Sequence, residues 1–360
     1  MLEPKPFIFD VHLDLSMNAM EWNRDLTQPL NKIRNCEAGL IDKPDRGKGT
    51  VCLPEMRKGN VGLCVATQIA RYTKQKNPLP GWHSPAQAWA QTQGQLSWYN
   101  ELERQGELTQ ICNLKQLEAH IAKWSTNTKE QLPIGYVLSL EGADSMVTLH
   151  HLEMAYEKGL RAIGPAHYGP GTYAPGTGTS GPLGAGGPEL LQEMDSLNII
   201  LDITHLSDTS LDQAMDLFNG TVWASHCNCR TLVPGERQLS DEQLKRVVER
   251  GGVIGAALDA WMLIADWERG VTTPASSGVK LSHVVDHIDY VCQIAGNSKH
   301  ACIGTDLDGG FGLEQSPGDI ESIADLQKIP RLLSKRGYSS EDINNIMGLN
   351  AVDILRRAWG

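Results

Sequence analysis

The sequence predicts a single-domain α/β protein, a (β/α)8 TIM barrel with long loops on the rim formed by the carboxyl ends of its strands. Three observations carry that reading. Eight short, apolar, β-rich runs recur along the 360 residues. Helical patterns separate most of them, which is the alternation of a parallel sheet. Six of the eight runs are followed by a histidine or a carboxylate, and the carboxyl-end rim of such a barrel is where polar side chains converge into a site.

The runs are FIFDV (7–11), VGLCVATQI (61–69), GYVLSL (135–140), RAIGPA (161–166), IILDIT (199–204), TVWAS (221–225), VIGAAL (253–258) and ACIGT (301–305). Helical patterns fall at 84–105, 147–158, 207–218, 240–250 and 283–295. Ser240 reads as the N-cap of its helix and Gly251 as its stop. Helices within 319–358 would close and cover the barrel. Eight strands in one chain favour a closed barrel over an open doubly wound sheet. Residues 17–60, charged and weakly periodic, read as an insertion after the first strand. Residues 169–188, GPGTYAPGTGTSGPLGAGGP, read as a long surface loop at the active rim. No internal domain boundary stands out.

Bulk properties remove several classes of function. A hydrophobic content of 41% is ample for a packed core. A net charge of -11 argues against a nucleic-acid partner, which would need clustered Lys and Arg. No apolar run approaches the roughly 20 residues that span a bilayer. The opening MLEPKPFIFD lacks the pattern of a signal peptide and the closing RRAWG lacks the tail of a lipid-anchor signal. The eight cysteines are expected to be free, since Cys64, Cys292 and Cys302 sit in apolar runs. The expected compartment is the reducing cytoplasm.

The polar residues at the run ends are His12 with Asp14, Glu141, His167, His205, His226 and Asp306. Singly, each reads as a hydrogen-bonded structural residue or a cap; jointly, they form a donor set suited to divalent metal. One metal could take His12, Asp14 and one oxygen of Glu141. A second could take the other Glu141 oxygen with His205 and His226. A shared carboxylate suits two cations roughly 3.5–4 Å apart, and water between them would ionise near neutral pH to give a hydroxide nucleophile. Asp306 would be the base that passes that water's proton to a leaving group. Asp308, in the same TDLDG motif, is its rival; Asp306 is preferred because it comes directly at the strand's end.

The pieces FDVHLDL, LPEMRKGNVG, LSLEGAD, LRAIGPAH, LDITHLSD, ASHCNCRTLVPGERQLSDEQL, GGVIGAAL, GTDLDGG and MGLNAVDILRRA occur in an order and spread that resembles the membrane (renal) dipeptidase family of the amidohydrolase superfamily. The resemblance implies a (β/α)8 dipeptidase with a binuclear zinc centre, usually a dimer. It implies the same ligands: His12 and Asp14 for one metal, Glu141 as the bridge, His205 and His226 for the other. It matches Asp306 to the catalytic base and His167 to the histidine that polarises the scissile carbonyl. Arg237, eleven residues after His226, falls where the family has an arginine that grips the substrate's terminal carboxylate. The resemblance also implies that a D-residue can occupy the C-terminal position of the dipeptide. Leu13 departs from the family's usual Asn between the first His and Asp.

Two alternatives remain open to the sequence. One is hydrolysis of acyl-amino acids or lactones on the same metals; the other is a catalytically silent, metal-stabilised binding protein. Other patterns read as structural. GTGTSG (Gly176 to Gly181) satisfies G-x-G-x-x-G but has no strand before it or helix opening after it. His283 and His287 in HVVDH lack the Glu of a zinc-binding helix, Cys227 and Cys229 lie in the loop beyond a strand, and His150 and His151 fall on a helix surface.

Overall fold

The computed structural model describes residues 5–74, 76, 80–126 and 131–360. The strands among them form one parallel sheet. They are β1 (Ile8–Leu13), β2 (Val61–Ile69), β3 (Leu108–Gln110), β4 (Ile134–Glu141), β5 (Leu160–Gly164), β6 (Ile200–Asp202), β7 (Val222–Trp223), β8 (Ile254–Ala256) and β9 (Ala301–Ile303). Their spatial order is β7-β6-β5-β4-β2-β1-β9-β8. A bridge between Ala224 and Ile254 then joins the two ends, with Ala224 N–H donating to Val253 O (2.9 Å) and Gly255 N–H to Ala224 O (2.8 Å). The eight predicted runs are therefore the eight staves of a nearly closed barrel. β3, which the sequence reading missed, is an extra. It pairs with β4 at Ile134–Tyr136, before β5 takes over that edge from Leu138 to Glu141. With one strongly apolar residue in three, it has too little pattern to read.

The predicted helices form as Pro85–Arg104, Leu149–Glu157, Asp208–Leu217, Asp241–Glu249 and Leu281–Ala295, joined by Leu114–Ser125 and Gly187–Ser196. Ser240 caps its helix in a reciprocal box. Gln243 N–H donates to Ser240 Oγ (3.2 Å), and Ser240 N–H donates to Gln243 Oε1 (2.9 Å). Gly251 follows at φ +68°, which stops the helix. No helix among the described residues is long and apolar enough to cross a membrane, and all eight cysteines are free.

Two cores result. The larger lies between the strands and the helices around them. The smaller contains Phe9, Val11, Leu63, Val65, Val137, Ala162, Ile200, Trp223, Val253 and Cys302. It takes a residue from each stave or its immediate flank, so it is the barrel's lumen, and Ala351, Val352, Ile354 and Leu355 of the last helix (Asn350–Trp359) plug its base. A lumen packed in this way leaves only the opposite, carboxyl-end rim for chemistry.

Two long segments roof that rim. In the 17–60 segment, Arg24 is buried and donates to Glu37 Oε1 (2.8 Å), Asp45 Oδ2 (2.9 Å) and Asn18 Oδ1 (2.7 Å). Asp308 then ties this segment to the β9 loop: its carboxylate accepts from Thr50 N–H and Oγ–H (2.7 Å each) and Val51 N–H (3.0 Å). The 169–188 segment runs over the surface as its composition predicts, with Pro170, Gly171, Thr172, Gly178, Ser180 and Pro182 exposed, but it is anchored from within. Tyr173, Ala174 and Gly176 are buried, and the loop pairs back on the β5 exit through Thr177 N–H to His167 O (2.9 Å) and Gly169 N–H to Thr177 O (3.0 Å). Gly176 is required there by close approach, since a Cβ would stand 1.7 Å from the His167 carbonyl oxygen.

Candidate metal centre

One rule of placement builds the site. β5, β6, β7 and β9 end at Gly164, Asp202, Trp223 and Ile303, and His167, His205, His226 and Asp306 are each the third residue beyond. Glu141 is the last residue of β4, and His12 is the penultimate residue of β1. Asp14 lies just past β1, at the N-cap position of a short helix (Leu15–Met20), yet its carboxylate makes no cap hydrogen bond. It turns toward His12, with Oδ2 3.8 Å from His12 Nε2. His205 and Asp306 hold left-handed backbone, φ +68° and +56°. For non-glycine residues that conformation is uncommon and clusters at functional sites.

Glu141 stands at the centre. Its Oε1 is 3.2 Å from His205 Nε2, 3.4 Å from His226 Nε2 and 3.8 Å from His12 Nε2; its Oε2 is 3.9 Å from His167 Nε2. His12 Nε2 is also 3.7 Å from Asp306 Oδ1. Two donor groups emerge, Glu141 with His205 and His226, and His12 with Asp14 and Asp306. Asp202 forms a third with His12 and His226, a placement the sequence reading did not single out.

These residues suit a divalent metal on chemical grounds. His205 Nε2 and His226 Nε2 are 3.1 Å apart, close to the roughly 3.3 Å expected of two nitrogens bound tetrahedrally to one zinc. Each ring has its other nitrogen tied to a hydroxyl, His205 Nδ1 to Thr177 Oγ1 (2.8 Å) and His226 Nδ1 to Ser225 Oγ (2.9 Å). Such outer partners leave the Nε2 lone pair for a metal. His12 Nε2 and Asp14 Oδ1 are buried without a hydrogen-bond partner among the described residues, which is costly unless something else satisfies them.

The electrostatics agree. Burial pushes Glu141 up to about 8, with Asp14 adding to the rise against the pull of His12. Burial likewise raises Asp306 well above the carboxylate range. Burial opposes the charged form of His12, but Glu141, Asp14 and Asp306 prevail and lift it to about 10. Burial, reinforced by the Arg237 guanidinium, holds His205 and His226 well below their usual value. Crowded buried carboxylates beside neutral imidazoles are the field a cation relieves.

The site opens into a cavity of about 490 Å³. Glu141, His167, His205, Arg237 and Asp306 line it, together with Asp259, Trp261 and Arg269. Arg237 is buried, donates to His226 O (2.9 Å), approaches Cys227 Sγ (3.3 Å), and forms no carboxylate ion pair among the described residues. Asp308 is spent on Thr50 and Val51, so of the two acids in TDLDG only Asp306 faces the donors. Leu13 is fully buried in the larger core, away from the ligands.

The remaining patterns prove structural. His287 accepts from Cys229 N–H (3.1 Å) and His283 Nδ1 from Lys280 N–H (3.0 Å). His150 pairs with Glu153 on the surface. Besides Asp202, three residues of the site were missed. Asp259 is the third residue past β8, the same offset as the ligands, and could have been found by it. Arg71, two residues past β2, donates to His167 Nδ1. Thr177 was hidden in low complexity.

A parallel barrel whose carboxyl-end rim carries buried histidines and carboxylates around a cavity defines a metal-dependent hydrolase of the amidohydrolase type. Residues 2–359 match the membrane dipeptidase family (peptidase family M19), and the chain belongs to that family of metallo-dipeptidases. A Klebsiella pneumoniae protein described as an uncharacterized protein in the pqqA 5' region is 28% identical over 268 residues, 69% of this chain and 95% of its own length. The dipeptidase tcpJ of Claviceps purpurea is 27% identical over 233 residues, 62% of this chain but only 51% of that protein. The crystal structure of a Rhodobacter sphaeroides metallopeptidase, liganded with a phosphinate mimic of L-Ala-D-Ala, has the same fold at a TM-score of 0.78 and 20% identity, covering 99% of this chain and 100% of that one.

Proposed function

We propose that this protein is a zinc-dependent dipeptidase that takes dipeptides with a free C-terminal carboxylate and accepts a D-residue at that position. The observation that carries the reading is Arg237, a buried guanidinium with no carboxylate ion pair among the described residues, lining the same cavity as the metal donors. A guanidinium fork binds a carboxylate through two parallel hydrogen bonds, and holding that end sets the scissile bond at a fixed distance from Glu141, His205 and His226. His12, Asp14 and Glu141 would hold one divalent ion, and Glu141, His205 and His226 a second. When bound, the ions supply the Lewis acidity that polarises a carbonyl and acidifies water near neutral pH.

The chain's own groups do the rest. His167 directs its ring at the scissile carbonyl oxygen and stabilises the charge that develops there. Asp306, which faces His12 and lines the cavity, takes the proton of the attacking water and hands it to the departing amine. The phosphinate of L-Ala-D-Ala held by the Rhodobacter sphaeroides neighbour supports a D-residue at the C-terminal position.

The test is a panel of L-L and L-D dipeptides, with N-acyl-amino acids and a lactone as comparators. Zinc-loaded protein should release amino acids from dipeptides, and chelation should abolish release. Arg237→Met should raise KM by roughly 10²-fold for substrates with a free carboxylate, the loss of a charge-assisted bidentate contact. Turnover confined to the comparators, or an unchanged KM in Arg237→Met, overturns the reading.

A further inference from the structure

The partners at Nδ1 sort the histidines of this site into two kinds. His205 and His226 face hydroxyls there, Thr177 Oγ1 and Ser225 Oγ, and a hydroxyl can accept. Their protons therefore settle on Nδ1 and leave Nε2 as a lone pair toward Glu141. His167 is different: its Nδ1 faces the Arg71 guanidinium. A guanidinium has five N–H donors and no acceptor, so the nitrogen it addresses must be unprotonated. The neutral ring then carries its proton on Nε2, the atom that points toward Glu141 Oε2 at 3.9 Å.

We propose that Arg71 is a positioning residue that fixes His167 as the Nε2–H tautomer, so that the ring presents an N–H, not a lone pair, to the carbonyl oxygen in the cavity. The proposal rests on the role given to His167 above. Arg71 does not line the cavity itself; it stands behind the ring. It forms no ion pair with a carboxylate among the described residues, and its Nη2 donates to His167 Nδ1.

The loop holds Arg71 in place from both sides. Its carbonyl accepts from Trp82 N–H (2.8 Å), and its Nη1 donates to Pro80 O (3.1 Å). The Asp144 carboxylate of LEGAD accepts from Thr172 N–H (2.7 Å) in the glycine-rich loop, and its charge favours the Arg71 guanidinium. The wrong tautomer would aim a lone pair at an oxygen gathering negative charge, which repels where donation is needed.

The experiment combines Arg71→Met and Arg71→Lys with 15N spectra of the histidine-labelled, zinc-loaded protein, the His167 signals being assigned from a His167→Asn variant. Protonated and unprotonated ring nitrogens resonate apart, so the spectrum reads the tautomer without reference to turnover. The wild type should show His167 protonated at Nε2. Arg71→Met should move the proton to Nδ1 or split it, and lower kcat on the order of 10²-fold with KM within about twofold, the scale of losing one oxyanion donor. Arg71→Lys keeps a donor-only cation and should restore both the tautomer and most of kcat, which a merely structural arginine would not require. A wild-type proton on Nδ1, or an Nε2 proton untouched in folded Arg71→Met, overturns the proposal. A tautomer that moves while kcat holds overturns instead the role of His167 at the carbonyl.

Discussion

Asp306 and Asp308 stand two residues apart, both with left-handed backbone, at φ +56° and +62°, and both buried enough for their pKa values to be raised. Their partners divide them. Asp308 spends both oxygens on Thr50 and Val51, whereas Asp306 looks toward His12 and the cavity. Conversion to the amide should therefore act in opposite ways. Asp306→Asn should cut kcat by roughly 10²–10⁴-fold, the range of general acid–base catalysis, in a protein that unfolds like the wild type. Asp308→Asn should lose about 1–3 kcal/mol of stability, because an amide nitrogen would face backbone N–H groups, while folded protein keeps its kcat within a few-fold. Denaturant unfolding and steady-state kinetics on the pair would check both. A near wild-type kcat in Asp306→Asn would remove it from the proton path.

At the scale of elements, the glycine-rich segment does more than cover the rim. Through Thr177 it reaches His205, and through paired backbone it grips His167. Gly176→Ala should force the His167 carbonyl aside and lower kcat at least tenfold, since misplacement by about 1 Å can cost 10²-fold. Gly94, inside the helix Pro85–Arg104, is the comparator, because a Cβ there meets nothing closer than Met20 Cε at 4.0 Å. Gly94→Ala should stabilise the fold by about 0.5–1 kcal/mol and leave kcat unchanged. Thermal unfolding and kinetics of the two variants should separate in sign.

The same loop shows what could be read from sequence. The strands were legible because a stave's apolar run announces itself, and the donors because each follows such a run. Asp14, His167, His205, His226 and Asp306 needed no knowledge of which strands are neighbours. Thr177 and Arg71 did: their meaning depends on a ring supplied by another stave, and neither glycine-rich composition nor a lone arginine encodes that partner. β3 escaped for a simpler reason: it is three residues long, and only Leu108 reaches the core while the rest is held by pairing with β4. Asp259 was readable by offset, but an acid in a tryptophan- and methionine-rich stretch carries no signal of a wall.

At the scale of the whole molecule, pH should act on stability through His287. Burial lowers it from 6.5 to about 4, and it serves the fold as a neutral ring that accepts from Cys229 N–H. The unfolded chain binds the proton below 6.5 and the folded one only near 4, so stability is full above 6.5 and falls as pH drops through that window. The difference is about 3 kcal/mol at 1.36 kcal/mol per unit. Urea unfolding of wild type and His287→Gln between pH 7 and 4 should show a steeper decline for the wild type, and parallel curves would exclude His287 as the cause. Comparing the two proteins at each pH cancels the protonation of the metal donors, which both share.

The clasp between the roof and the last stave also bears on how the chain is made. Asn18 donates to Asp308 O and Thr50 to the Asp308 carboxylate across 290 and 258 residues. β1, which is made before the other staves, has β9 as one of its two neighbours. At synthesis rates of about 5–20 residues per second, the first stave waits roughly 10–60 s for that neighbour. Throughout that interval His12 and Asp14 are translated but Asp306 is not. A product stalled before β9 thus carries all five proposed metal ligands but neither Asp306 nor the stave that closes the barrel.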